Sequence, residues 1–180
     1  MTRHNEASPG ANRMGEAGLP DNSVPPEQAE GRRATPPQEG KRDVIITVHS
    51  TQDGRRSPAA QHRGELIQKG KTTFLRYEEQ DELHGGVRTT LRWNGEELSL
   101  IRRGGLESEQ TFAAGQSRGG RYSSPHLAFP MVTETEELSA TATGGTLLPL
   151  TLAWTYRLRI EDQLSGRFQL RLTIQEANHS

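Results

Sequence analysis

At 180 residues the chain has room for one domain with a real core and hardly for two. Its formal net charge of −1 denies it the positive field that nucleic acid or an anionic membrane surface demands of a partner. There is no cysteine, which excludes disulfides, thiol catalysis and thiolate metal sites and fits a reducing compartment. The N-terminus shows no signal-peptide pattern and no stretch is long and apolar enough to span a bilayer, so a cytoplasmic protein is expected.

Residues 1–40 hold six of the ten prolines, no aromatic residue, and only Met1, Met14, Leu19 and Val24 as large apolar groups. A segment so poor in apolar surface cannot offset the entropy of its own ordering. The reading is a disordered Pro/Gly-rich tail, residues 1–40, followed by a folded domain, 41–180. Of the 22 basic residues, 19 are arginine. Guanidinium forks would suit anion recognition, but the accompanying wealth of Ala, Gly and Pro makes a general compositional bias the simpler reading.

The domain opens with a strand over Val44–Thr51, in which Val44, Ile46 and Val48 share a face. Gln52–Ala60 is polar and turn-prone, with Asp53-Gly54 and Ser57-Pro58. Arg63–Lys69 forms a second strand, and Gly70-Lys71 turns the chain into Thr72–Glu79. An acidic loop ending in Gly85-Gly86 leads to Val87–Trp93. Asn94-Gly95 then gives the strongest hairpin signal in the chain, since both residues tolerate positive φ, and opens Leu98–Arg103. Gly104-Gly105 turns into Glu107–Ala113.

Ala114–Gly120 is read as a Gly/Ser/Arg loop, followed by Tyr122–Pro125, an apolar strand over Leu127–Val132 and another over Glu136–Thr143. After Gly144-Gly145 comes the clearest pattern of all. Leu148, Leu150, Leu152, Trp154, Tyr156, Leu158 and Ile160 alternate with small or polar residues, so one long strand has a buried and a wet face. Phe168, Leu170, Leu172 and Ile174 repeat the pattern in the last strand.

No segment of the domain carries the 3.6-residue period of a helix. Some eight to ten strands joined by short hairpins describe an all-β, antiparallel up-and-down meander. Such a meander loses its exposed edges most simply by closing into a barrel; a two-sheet sandwich is the competing arrangement.

Several features in this order carry a resemblance. They are Val44–Thr51, Gly64 and Gly70 ahead of Phe74 and Tyr77-Glu78-Glu79, Thr89-Thr90-Leu91, and Ile101-Arg102-Arg103-Gly104. Ser108, Phe112, Tyr122-Ser123-Ser124-Pro125, Gly145 before the strand of Tyr156, and Phe168–Glu176 complete them. Over residues 42–176 the chain resembles the YwiB-like family, small bacterial cytosolic β-barrels of the calycin (lipocalin-like) class with no established activity. The resemblance implies a barrel able to hold a small ligand and supplies no ligand to carry over. Two departures stand out: His126 follows Ser123-Ser124-Pro125 where the family has a Thr-Pro pair and a glycine, and the N-terminal extension is longer.

Enzymatic motifs are missing: there is no phosphate-binding glycine loop and no nucleophile elbow, and the six histidines lack zinc-ligand spacing. No cofactor, no metal and no catalytic residue is therefore expected. The informative residues are polar ones forced inward by alternation. Leu98 and Leu100 share a face with Arg102, while Ile101 shares one with Arg103, so either register turns one arginine inward. An inward guanidinium needs a carboxylate, and Glu79 and Glu65 are the candidates.

Together Tyr77, Glu79, Arg102, Tyr122 and Tyr156 are expected to form a polar cluster at the barrel mouth, able to bind a small polar or anionic molecule. His126, in a loop, is the reserve member. Set against this is a plain barrel-end ion pair in a filled barrel. The chain is thus read as a non-enzymatic barrel with a possible small-molecule ligand and neither nucleic acid nor membrane as partner. The alternative is an interaction or scaffold domain without a ligand.

Overall fold

A computed structural model describes residues 40–178. The expected disordered tail lies outside the described residues except for Gly40, which begins the first strand. Eleven strands and no helix make up the described residues. In chain order they are β1 (Gly40–Gln52), β2 (Arg55–Arg56), β3 (Ala60–Lys69), β4 (Thr72–Asp81), β5 (Gly85–Trp93) and β6 (Glu97–Gly104). Then follow β7 (Glu107–Ala113), β8 (Ser117–Ser124), β9 (Leu127–Ala142), β10 (Leu150–Ile160) and β11 (Gln163–Glu176).

Every strand from β3 onward pairs antiparallel with the next, and β1 pairs with both β3 and β11. The β1–β11 ladder runs from Val44 opposite Glu176 to Gln52 opposite Phe168, and it closes the sheet. The result is a ten-stranded antiparallel barrel, with the two-residue β2 folded back on the end of β1. The sandwich is thereby excluded.

Ten strands enclose a wider interior than eight, and large side chains occupy it. One contiguous core runs through Val44, Ile46, Leu66, Leu75, Leu91, Leu98, Leu172 and Ile174, with the rings of Tyr77, Phe112, Trp154 and Tyr156 across the middle. Phe112 touches both Trp154 and Tyr156, at ring-centroid distances of 5.6 and 4.8 Å, and Tyr156 stacks on Phe168 at 5.1 Å. Burying each such side chain contributes about 1.5–3 kcal/mol of transfer free energy.

Because the meander alternates direction, its connections alternate ends. Turns 53–54, 82–84, 105–106, 125–126 and 161–162 share one end, here called the mouth, and 70–71, 94–96, 114–116 and 143–149 share the other.

Three expectations are corrected. Gln52–Ala60 is no extended turn: only Asp53-Gly54 turns, with Asp53 at φ 49° and Gly54 at φ 81°, and β2 continues toward β3 through the kink at 57–59. Most of the stretch read as a loop, Ala114–Gly120, belongs to β8, whose inward positions alternate through Arg118, Gly120 and Tyr122. A Cβ on Gly120 would lie 2.4 Å from the Glu109 carbonyl oxygen, so close approach to β7 requires glycine where the pattern required an apolar residue. The two strands read at Leu127–Val132 and Glu136–Thr143 are one, β9; β10 shifts register opposite it between Thr155 and Tyr156.

Candidate functional site

Residues near the mouth end of β4, β5, β6, β7 and β10 build one polar cluster inside the barrel. The register brings them together: Tyr77 opposes Thr89, Thr89 opposes Arg102, and Arg102 opposes Ser108, so all four project from one face of adjacent strands. Glu79 follows Tyr77 by two residues and shares that face.

Arg102, not Arg103, is the inward arginine. Its Nη2 donates to Glu79 Oε2 at 2.8 Å, and Thr89 Oγ1 donates to Glu79 Oε1 at 2.9 Å. The two charged side chains are about three-quarters buried, at 25% and 24% exposure. Glu65, the other candidate partner, pairs instead with Lys41 on the outer wall, and Arg103 points outward to Glu109. Arg102 Nε is buried and has no hydrogen-bond partner.

Two tyrosines flank this pair. Burial, then the negative charge of Glu79 and a hydrogen bond to it, push the Tyr77 hydroxyl far above the usual phenol range, with Arg102 opposing. Burial pushes Tyr156 up to about 12, against a side-chain hydrogen bond with Gln110 and the positive charge of Arg102. Arg102 therefore acts on both hydroxyls.

Of the six residues expected at the mouth, the structure joins four: Tyr77, Glu79, Arg102 and Tyr156. Tyr122 stacks on Phe129 at 5.0 Å and makes no hydrogen bond or ring contact with the others among the described residues. His126 is exposed in the 125–126 turn and makes no such contact either. The cluster instead recruits Thr89, Gln110 and His62, whose ring lies 4.9 Å from that of Tyr77. Thr89 was readable, since it shares parity with Val87 and Leu91. His62 was not, because β3 begins at Ala60, three residues ahead of the Arg63 at which the pattern starts.

Further polar atoms lie nearby in the wall. Thr133 and Thr135 on β9, which oppose Leu158 and Tyr156, bury hydroxyls without a partner, as does the Trp154 indole nitrogen. An unpaired buried donor costs about 1–3 kcal/mol. Among the described residues, no group of three or more His, Asp or Glu is placed to hold a metal ion, and no helix is long and apolar enough to cross a membrane.

Chemically, the cluster offers a guanidinium whose buried Nε is unpaired, two hydroxyls that stay protonated at neutral pH, and a carboxylate. Guanidinium and protonated hydroxyl groups are donor types that suit carboxylate and phosphate oxygens.

The chain aligns with the crystal structure of the ywiB protein from Bacillus subtilis at a TM-score of 0.64 and 17% identity. The alignment covers 79% of this chain and 95% of that one, and shows a shared fold. A comparison with curated proteins found no match. A family model described as a domain of unknown function, DUF1934, matches residues 44–172, most of the barrel. The chain therefore belongs to the DUF1934 family, and its barrel is YwiB-like.

Proposed function

We propose that this calycin-type barrel is a cytoplasmic binding module, not a catalyst, and that its mouth takes a small polar or anionic molecule through Arg102. One observation carries the reading: the Nε of a guanidinium that is mostly buried has no partner, although Arg102 Nη2 and Thr89 Oγ1 both donate to Glu79. Burying a donor unsatisfied is costly, and an anionic oxygen beside Nε and the Tyr156 hydroxyl would remove that cost. A neutral pH leaves both tyrosines as donors. A carboxylate or phosphate no larger than a small metabolite suits this edge.

A second reading, an interaction domain with a filled barrel, is favoured by the pairing of Arg102 with Glu79, which already neutralises the guanidinium. The substitution Arg102→Met keeps the side-chain stem and separates the two. On the binding reading, a panel of small carboxylates and phosphates contains members that raise the melting temperature of the full-length protein, because ligands that bind only the native state stabilise it. The rise disappears in Arg102→Met, while circular dichroism still shows the barrel. On the filled-barrel reading no member raises it, and Arg102→Met merely destabilises by about 1–3 kcal/mol, the cost of leaving a partly buried carboxylate with one partner fewer.

A further inference from the structure

The outer wall carries a second constellation, distinct from the mouth. Where β1, β11, β10 and β9 lie side by side, the register sets out two neighbouring rows of outward side chains. One reads Arg56, Thr51, Gln169, Thr155, Glu137, and the next His49, Arg171, Ala153, Ser139. The central strand β10 contributes only small residues to these rows, and the strands on either side carry longer ones. The difference in length makes a groove of about 670 Å³. Thr155 faces outward yet is only 8% exposed, because it forms the groove floor. The register shift between β9 and β10 falls at this residue, as irregularities in sheets often do beside binding sites.

Elsewhere on this wall, arginines are neutralised by protein carboxylates. Arg157 and Arg167 oppose each other across β10 and β11, and Glu136 bridges both at 2.9 Å. Arg159 is held by Glu134 at 2.7 Å. In the groove the arrangement is reversed. Arg171 lies between Ala153 and His49, and among the described residues the side chains of Arg171, Arg56 and His49 make no hydrogen bond or ion pair. Arg56 is held in place nonetheless. Asp53 N donates to the Arg167 carbonyl and Arg167 N donates to Asp53 Oδ1, each at 2.9 Å, so the β1–β2 tip is pinned to β11.

We propose that this groove binds the phosphomonoester of a small hydroxylated molecule, of the sugar-phosphate class. Arg56, Arg171 and His49 donate to the phosphoryl oxygens, with the Thr51 hydroxyl and Gln169 amide beside them; guanidinium forks match phosphate geometry. Glu137, on the far bank, accepts from a ligand hydroxyl. Neighbouring strands are about 4.8 Å apart, so β9 stands roughly 10 Å from β11. That span exceeds a bare phosphate and fits a pentose phosphate. Apart from the His49 imidazole neither row carries an aromatic side chain, and the Trp154 ring that borders the groove is buried, so a nucleobase has no phenyl or indole face to stack on.

Calorimetric titration of the full-length chain with ribose 5-phosphate, inorganic phosphate and ribose tests this. Expected are saturable binding of ribose 5-phosphate, weaker binding of phosphate, and none of ribose. Arg171→Gln weakens the first at least about tenfold and Glu137→Gln severalfold, whereas Arg102→Met leaves it unchanged. All the groove residues substituted are exposed, and circular dichroism checks that each variant retains the barrel. Absence of binding at millimolar ligand overturns the proposal, as does binding indifferent to Arg171→Gln and Arg56→Gln. Binding abolished by Arg102→Met assigns the anion to the mouth and overturns the groove site.

Discussion

A guanidinium three-quarters removed from water must be met by charge or by acceptors, and Arg102 is met on one nitrogen only. Alternation along β6 was enough to turn one arginine inward but not to choose it, since Leu98 and Leu100 favour Arg102 while Ile101 favours Arg103; the buried Leu98 decides for Arg102. The choice between Glu79 and Glu65 was not readable, because it depends on the register of β4 against β5 and β6, which no single strand encodes. The same limit applied to Tyr122, which has the inward parity but lies beyond β7, where it finds Phe129. The two tyrosines beside Arg102 allow a direct check. Folding holds both hydroxyls in the neutral form, so their contribution to stability is whole below pH about 10 and fades as pH rises; for Tyr156 the loss spans about 10 to about 12. In an alkaline titration followed by phenolate absorbance, two tyrosines should ionise only as the barrel unfolds. Three tyrosines ionising reversibly near pH 10, with unchanged far-ultraviolet dichroism, would contradict their burial.

At the scale of elements, legibility follows the side chains. Strands β10 and β11 could be read at once because leucines and aromatics mark every inward position and polar groups every outward one. Strand β8 could not, because its inward sites include Arg118 and Gly120; the element exists through its ladder with β9 rather than through an apolar face of its own. Glycine plays a similar part in β3. Gly64 opposes Val44 and Tyr77 on the core side, and a Cβ there would come within 2.4 Å of the Arg76 carbonyl oxygen and 2.7 Å of Ile46 Cδ1. Backbone cannot yield as a side chain can, so Gly64→Ala should destabilise by about 1–3 kcal/mol in denaturant unfolding. Gly119→Ala, where an added Cβ meets nothing within 4 Å, serves as the comparison and should stay within about 0.5 kcal/mol of the parent. Equal stability of the two variants would mean that β3 and β4 approach less closely than described.

At the scale of the whole molecule, the β1–β11 ladder removes the last edges of the sheet and turns two long terminal patterns into the two sides of one seam. That closure was expected from hairpin spacing, and the expected eight to ten strands include the observed ten; the exact number depended on the extent of β8 and on merging the two halves of β9. Closure also sorts the chain's arginines. Six outward ones, Arg88, Arg103, Arg121, Arg157, Arg159 and Arg167, meet carboxylates on the wall, Arg102 points to the mouth, and Arg56 and Arg171 face a groove whose carboxylate, Glu137, stands on the far bank. The wealth of arginine in the composition thus resolves into local environments that composition alone could not separate. Native mass spectrometry of the full-length protein, freshly purified and never refolded, tests the mouth site most directly. A reproducible adduct that is lost on denaturation and absent from Arg102→Met is the predicted result, and its mass narrows the ligand. A bare chain mass in both proteins, or an adduct that survives in Arg102→Met, would contradict a ligand held by Arg102.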